Sequence, residues 1–416
     1  MRVGAVLPLM VVALFAGIGN AIAEENPDWN ATTLTGDWGG TRTDLLNKGV
    51  TLEFSHKSDV LANVSGGLQR GAAWLGHTEA RIGLDMEKLL GWDDSTAYIH
   101  YHSQLGSKFN THYVGAFVGA DNIEAGSNTA QFYHAWLQKN FSDNGLSVLA
   151  GLYPVDSEFY VTDTSGVFIQ PPYGMANDMA QAGQNGPPVF PMAALAVRMK
   201  YTPPGNDYYL QGVLTDGVPG DPANPHGTHV KLGNGDGVLA MAELGYAPAQ
   251  EEENFNKAAI GFWRYSTRFD DLADTDAFGN PIRRPSQGVY FLAERTLMAE
   301  ADHPTQGLSG FIRFGTASRD IHQSDWTGSA GLRYRGLIVG YDDDIAGIAF
   351  TVNHASEKYR LLNTADGSEI DMEVTYRAQL QPWLALQPTL QYIQNPNMDP
   401  AMQDAWVAGV RVEIDF

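Results

Sequence analysis

What most constrains this chain is a strict two-residue alternation of apolar and polar side chains over long segments. From Glu369 to Leu380, one row is Ile370, Met372, Val374, Tyr376, Ala378 and Leu380, and the other is Glu369, Asp371, Glu373, Thr375, Arg377 and Gln379. The last segment sets Trp406, Ala408, Val410, Val412, Ile414 and Phe416 against Arg411, Glu413 and Asp415. Thr78 to Met86 sets Ile82, Leu84 and Met86 against Glu79, Arg81 and Asp85. Successive strand side chains point to opposite faces, so one face is apolar and the other carries charges and amides. A soluble antiparallel sheet alternates too, so length is what discriminates. These runs span about ten to thirteen residues, against the usual five or six in soluble folds. Crossing a bilayer with a tilted strand takes roughly nine to eleven.

Helical periodicity is almost absent after residue 50. Sixteen alternating segments can be counted: 50–62, 77–87, 95–106, 129–140, 146–154, 192–202, 207–216, 237–248, 257–266, 287–297, 307–317, 328–337, 344–355, 368–381, 383–395 and 403–416. Even-numbered connections are mostly short, such as 141–145, 203–206 and the Pro382 corner; odd-numbered ones are mostly longer, such as 107–128, 155–191, 217–236 and 267–286. The predicted fold is all-β: a transmembrane antiparallel β-barrel of about sixteen strands, with short periplasmic turns and long extracellular loops. An even count leaves both termini at the periplasmic rim. A closed barrel satisfies every backbone group and has no edge, as lipid demands. Tyr98, Tyr201, Trp263, Trp383, Tyr392 and Trp406 stand near strand ends, where aromatic girdles are expected.

Residues 1–23 read as a secretory signal peptide. Arg2 supplies the positive start, Val6 to Ile18 the apolar stretch, and Ala21-Ile22-Ala23 the small-x-small cleavage pattern, so the mature chain is expected to begin at Glu24. Residues 24–49 are expected to form a periplasmic N-terminal segment with a short helix near Trp38 to Gly49, and 50–416 the barrel. The expected location is the bacterial outer membrane, with membrane lipid and lipopolysaccharide around the wall. The absence of Cys excludes a disulfide framework, a thiolate metal site and a cysteine nucleophile. A net charge of −22 argues against nucleic acid, whose phosphates would be repelled.

Further along the chain, short motifs recur in a telling order. They are Leu34-Thr35-Gly36-Asp37-Trp38-Gly39-Gly40-Thr41-Arg42 with Leu45 to Gly49, and Leu84-Asp85-Met86-Glu87-Lys88-Leu89-Leu90-Gly91-Trp92. Asp156-Ser157-Glu158-Phe159 follows with Gly166, Phe168, Gly174, Pro191, Val197 and Arg198, and then Asp216-Gly217-Val218-Pro219-Gly220-Asp221-Pro222. Leu386-Gln387-Pro388 and Gln391-Tyr392-Ile393-Gln394-Asn395-Pro396 close the series. In these residues the chain resembles the carbohydrate-selective porins of the OprB family, from Leu34 to Phe416. The resemblance implies a monomeric barrel that lets sugars such as glucose diffuse through a pore narrowed by inward-folded loops, with charged residues at the constriction. His100, His102, His112 and His134 depart from the family pattern.

A barrel of sixteen to eighteen strands leaves an aqueous channel. The polar rows then supply the candidate lining: Glu53, Glu79, Arg81, Asp156, Glu158, Arg198, Arg313, Arg333, Glu373 and Arg377. Arg donates through a rigid fork and Glu accepts through two oxygens, so a mixed lining can grip the vicinal hydroxyls of a sugar. Trp74, Trp136 or Phe168 could stack on the apolar face of a pyranose. Transit requires binding weak enough to release. The bland alternative is that these charges only solvate a wide lumen and pair with each other.

Other motifs weigh less. Asn234-Gly235-Asp236-Gly237 has calcium-loop composition but not the EF-hand spacing, and reads better as a turn. Asp342-Asp343-Asp344 and Glu251-Glu252-Glu253 read as solvated turns. His100 and His102 share one strand face, where a metal or a wet lumen wall are the alternatives, the wall being favoured. No Gly-x-Ser-x-Gly motif supports a nucleophile. The expected function is passive, sugar-preferring diffusion, without catalysis, metal or cofactor; the alternative is a general or cation-selective porin, motivated by the acidic excess.

Overall fold

The computed structural model describes residues 27–141, 144–233, 235–248 and 254–416. The expected signal peptide and its expected cleavage before Glu24, together with Asn234 and Glu251 to Glu253, lie outside the described residues.

Sixteen strands close into one barrel in which each strand pairs with its sequence neighbours and β1 pairs with β16. They are β1 Val50–Gly67, β2 Gly71–Asp85, β3 Ser95–Gly106, β4 Thr129–Phe141, β5 Leu146–Tyr153, β6 Ala194–Tyr201, β7 Tyr208–Asp216 and β8 Val238–Tyr246, continuing with β9 Asn256–Thr275, β10 Pro281–Ala299, β11 Gly307–Ala317, β12 Ser324–Arg335, β13 Ile345–Ala355, β14 Ser368–Gln381, β15 Leu384–Gln394 and β16 Gln403–Asp415. All pairings are antiparallel, and Asp59 faces Arg411 across the seam between β1 and β16. That seam carries a buried ion pair, Arg411 Nη2 to Asp59 Oδ2 at 2.6 Å.

The wall is inverted relative to a soluble protein. Its outer face exposes Val60, Leu214, Ile260, Ile348, Met372 and Val374, whereas Glu79, Arg198, Glu243, Arg313, Glu373 and Arg411 are buried inside. The strands are what cross the membrane: among the described residues no helix is long and apolar enough to do so.

A short N-terminal segment docks at the rim that carries the termini. It contains α1 Trp29–Thr32 and α2 Thr41–Asn47, with Gly49 at φ +90° leading into β1. The Arg42 guanidinium lies between the Trp29 and Trp38 rings and donates to the Phe416 carbonyl oxygen. The Leu34 N–H donates to the Asp415 carbonyl at 2.8 Å.

Several strand boundaries differ from expectation. The connection expected over 267–286 is strand for most of its length, because β9 runs on to Thr275 and β10 begins at Pro281. Its exposed outer face carries Arg268, Asp270 and Arg283 rather than apolar side chains, so the hydrophobic alternation disappears. Ion pairs hold it instead, Arg284 Nε to Asp271 at 2.9 Å and Lys358 Nζ to Asp271 at 2.7 Å. β2 likewise starts at Gly71 rather than at residue 77, in a tight hairpin with β1.

Candidate functional site

The lumen is narrowed by the 154–193 connection, which folds inward and carries a short helix, Asn177–Ala180, among turns. Its apolar side chains explain why it does not stay in water. Phe159, Tyr160 and Met179 bury themselves against Leu149, Val213, Met241, Trp263, Tyr290 and Leu292 of the inner wall. Val167, Phe168 and Tyr173 pack on Phe311, Ile345 and Ala349. Wall glycines make room for the loop. A Cβ at Gly315 would come within 2.2 Å of Asp178 Oδ2, and one at Gly347 within 3.0 Å of the Phe168 ring.

A loop inside a barrel has backbone N–H groups with no sheet to receive them, and leaving them bare is expensive. Wall carboxylates take them. Glu243 accepts from Tyr160 N at 3.0 Å, Glu294 from Thr164 N at 2.8 Å, and Glu373 from Ile169 N and Gln170 N, both at 2.8 Å. The 107–128 connection is held the same way: Glu369 accepts from Phe117 N at 2.8 Å and Val118 N at 3.1 Å. Arg313 does the converse and donates to the Tyr173 and Gly174 carbonyls at 2.8 and 2.9 Å. A carboxylate suits this task because it offers several lone pairs and its charge shortens and strengthens each bond.

Two acids belong to the loop itself. Asp156 accepts from Tyr133 Oη and from Phe190 N, both at 2.9 Å. Burial pushes its carboxyl up to about 6, against the pull of those hydrogen bonds. Asp178 is fully buried, and burial pushes it up to about 7, against a hydrogen bond from Tyr160 and the nearby Arg313 charge.

Beneath the loop, towards the rim with the termini, an open polar lining remains. Arg81 contacts Glu79 and lies 3.6 Å from Glu53. Ser55 Oγ donates to Glu79 at 2.9 Å, and His77 and His100 approach the same carboxylate at 3.1 and 3.3 Å. Beside this set the Tyr98 and Trp136 rings stand 5.4 Å apart at 36°. Arg377 pairs with Glu413 at 2.8 Å. Arg198 is buried in bonds to Glu158 at 2.7 Å, Gln138 Oε1 at 2.7 Å and Ser147 Oγ at 2.7 Å. Arg333 lies over the Phe255 ring at 4.8 Å.

The expected lining residues thus fall into groups. Glu53, Glu79 and Arg81 come together, as do Arg198 and Glu158. Arg377 pairs with Glu413 from the polar row of the last strand. Arg313, Glu373 and Asp156 are occupied by the loop. Glu243, Glu294 and Glu369 hold backbone N–H groups that no sequence pattern marks, because their partners lie far off in the chain.

Several aromatic expectations are corrected. Trp74 faces outward and donates to Ser58 Oγ at 2.7 Å, since even positions of β2 point to lipid once Glu79 and Arg81 point inward. Phe168 is buried between its loop and the wall rather than open to a solute. Tyr98 and Trp263, expected in girdles, point inward; Trp263 is fully buried. Tyr201 and Trp406 do stand exposed on the outer face. His77, His100, His102 and His134 form a ring cluster with Tyr133 and Phe190, while His112 sits apart in the 107–128 connection. Among the described residues no three His, Asp or Glu side chains are placed to share a metal ion.

A sixteen-strand bore lined by charged pairs and an aromatic pair, and narrowed by a tethered loop, has the chemistry of a path for small polar solutes. Comparison with known proteins bears on which. The family model of the carbohydrate-selective porins, OprB family, matches residues 69–416. The chain belongs to the OprB family of carbohydrate-selective porins. Porin B of Pseudomonas aeruginosa is 22% identical, over 96% of this chain and 95% of its own length. The high-pH structure of Pseudomonas putida OprB superposes with a TM-score of 0.82 at 21% identity, covering 95% of this chain and 100% of that one. The outer membrane channel DcaP of Acinetobacter baumannii shares the fold at a TM-score of 0.55 and 11% identity, over 88% of this chain and 97% of that one. As an OprB-family barrel the protein is a sugar-preferring channel of the bacterial outer membrane, and its relatives are channels rather than enzymes.

Proposed function

We propose that this porin passes glucose-like monosaccharides and small oligosaccharides by passive diffusion, and that Arg81, Glu53 and Glu79 form the grip. The observation that carries the reading is the position of this charged set: it is partly open beneath the tethered loop and adjoins the Tyr98–Trp136 ring pair. The Arg81 fork donates to vicinal hydroxyls and Glu53 accepts from them, while an aromatic face takes the apolar side of the pyranose. Arg377 with Glu413 offers a second such pair. Asp156, Glu158, Arg198, Arg313 and Glu373 fix the loop that sets the width, and Arg333 borders the wall. Many charges are mutually paired, so a sugar competes for them and leaves again quickly.

The same reading gives the rest of the chain its place. The first 23 residues act as a cleaved export signal, residues 24–49 lie in the periplasm, and one barrel works alone in lipid and lipopolysaccharide without catalysing a reaction. Liposome swelling tests the proposal. Glucose is expected to enter much faster than a trisaccharide such as raffinose. Equal rates for both, or no entry of either, would overturn it.

A further inference from the structure

The net charge of −22 suggests a bore that repels anions, but the acids of the open lining, Glu53, Glu79 and Glu413, sit beside Arg81 and Arg377, and most others are not where a solute meets them. Many lie at the rims, in the 270–276 hairpin and in the Asp342 to Asp344 turn. Inside, Glu243 is sealed by four donors: Tyr160 N, Tyr209 Oη, Gln211 Nε2 and Tyr290 Oη, at 2.7 to 3.0 Å. Glu294 is buried and bound to both the N–H and the hydroxyl of Thr164. Glu369 and Glu373 are fully buried by the loops they hold.

Two lysines in the same stretch of wall are different. Lys200 stands next to the last residue of β6, and Lys257 next to the first residue of β9, so both sit near the rim that carries the termini. Both point inward and are half-buried. Neither makes an ion pair among the described residues. Lys200 lies over the Tyr209 ring at 5.0 Å, and Lys257 spends one donor on the Val161 carbonyl at 2.8 Å. An ammonium has three donors, so both keep some free. Half-way round the sixteen-strand ring from β6 is β14, and half-way from β9 is β1. The two lysines therefore stand on the part of the wall opposite the strands that carry Arg377 and Glu53.

We propose that the pore prefers sugar acids, polyhydroxylated solutes with one carboxylate, over neutral sugars. The carboxylate meets Lys200 and Lys257 on their own wall of the bore, a station separate from the Arg81–Glu53 set that takes hydroxyls. This inference rests on the sugar-porin reading and adds a charge to its substrate class. Desolvated ammonium donors bind a carboxylate by charge-assisted hydrogen bonds, which are stronger than neutral ones.

Glucose and glucuronate make a matched pair of probes, one ring with and without a carboxylate. In planar bilayers, glucuronate is expected to half-block the wild-type current at a concentration about tenfold lower than glucose, a difference the size of one good charge-assisted contact. A KCl gradient is expected to give a reversal potential of the anion-preferring sign. In Lys200→Gln/Lys257→Gln, whose amides keep a donor for Val161, the ratio of the two half-blocking concentrations is expected to fall towards one. If glucose blocks and glucuronate blocks no better, the sugar-acid inference is wrong and the sugar-porin reading stands. If neither blocks, both are wrong.

Discussion

The Glu373 carboxylate accepts the Ile169 backbone N–H at 2.8 Å, joining two residues 204 positions apart in sequence. One wall side chain on β14 thereby positions the loop that narrows the bore. Glu243, Glu294 and Glu369 repeat the device on β8, β10 and β14. The width of this channel is set by carboxylates that a solute does not touch.

Glu373→Ala should therefore widen or destabilise the constriction without opening the barrel. It leaves the Ile169 and Gln170 N–H groups buried and unpaired, a cost of about 1–3 kcal/mol for each group left bare. The expected result is a larger and noisier single-channel conductance, with unchanged heat-modifiable mobility on gels. An unaltered conductance would show that packing alone holds the loop.

Arg81→Ala removes the fork from the proposed grip. Hydrogen bonds to charged groups are worth about 1.5–3 kcal/mol, so the half-blocking glucose concentration should rise about tenfold or more. Arg81→Lys should recover only part of this, since an ammonium cannot reproduce the planar fork. Titration of glucose against the current in each variant measures both.

The docked loop should respond to pH through Asp156 and Asp178, which burial raises to about 6 and about 7. A carboxyl raised on docking favours the docked state below its ordinary range, near 4, and that advantage is lost as pH rises through the raised value. Docking is thus expected to weaken between about pH 4 and 7, with more proteolytic cleavage in 154–193 at pH 8 than at pH 5. Asp156→Asn/Asp178→Asn should flatten the profile. A profile rising in the opposite direction would contradict the assignment.

The seam between β1 and β16 offers a stability test. Asp59→Ala leaves the buried Arg411 guanidinium with only Asn122 at 2.7 Å and Asp121 at 3.5 Å, at a cost of up to about 3–5 kcal/mol. The variant barrel should lose its folded gel mobility at a distinctly lower temperature than wild type.

The barrel could be read in the sequence because lipid outside and charge inside force alternation, as in Ile370 to Leu380 and Trp406 to Phe416. The reading failed where that pressure ends. In Thr267 to Ser286 the outer face carries Arg268, Asp270 and Arg283 in place of apolar side chains, so β9 and β10 left no hydrophobic alternation to detect. Side-chain direction was misjudged for Trp74, Tyr98 and Trp263 because an aromatic near a strand end suits either face; only the parity set by Glu79, His100 and Tyr265 decides it. Arg81 and Glu53 could be picked from their row. The roles of Glu243 and Glu294 could not, since they depend on a loop partner dozens of residues away.

The central claim is that a loop-narrowed, charged bore grips a sugar in transit. The most direct measurement is single-channel current in a planar bilayer while glucose is titrated in. The account predicts saturable, reversible block of the current at millimolar glucose. Current that stays ohmic and unaffected by glucose at any concentration would contradict it.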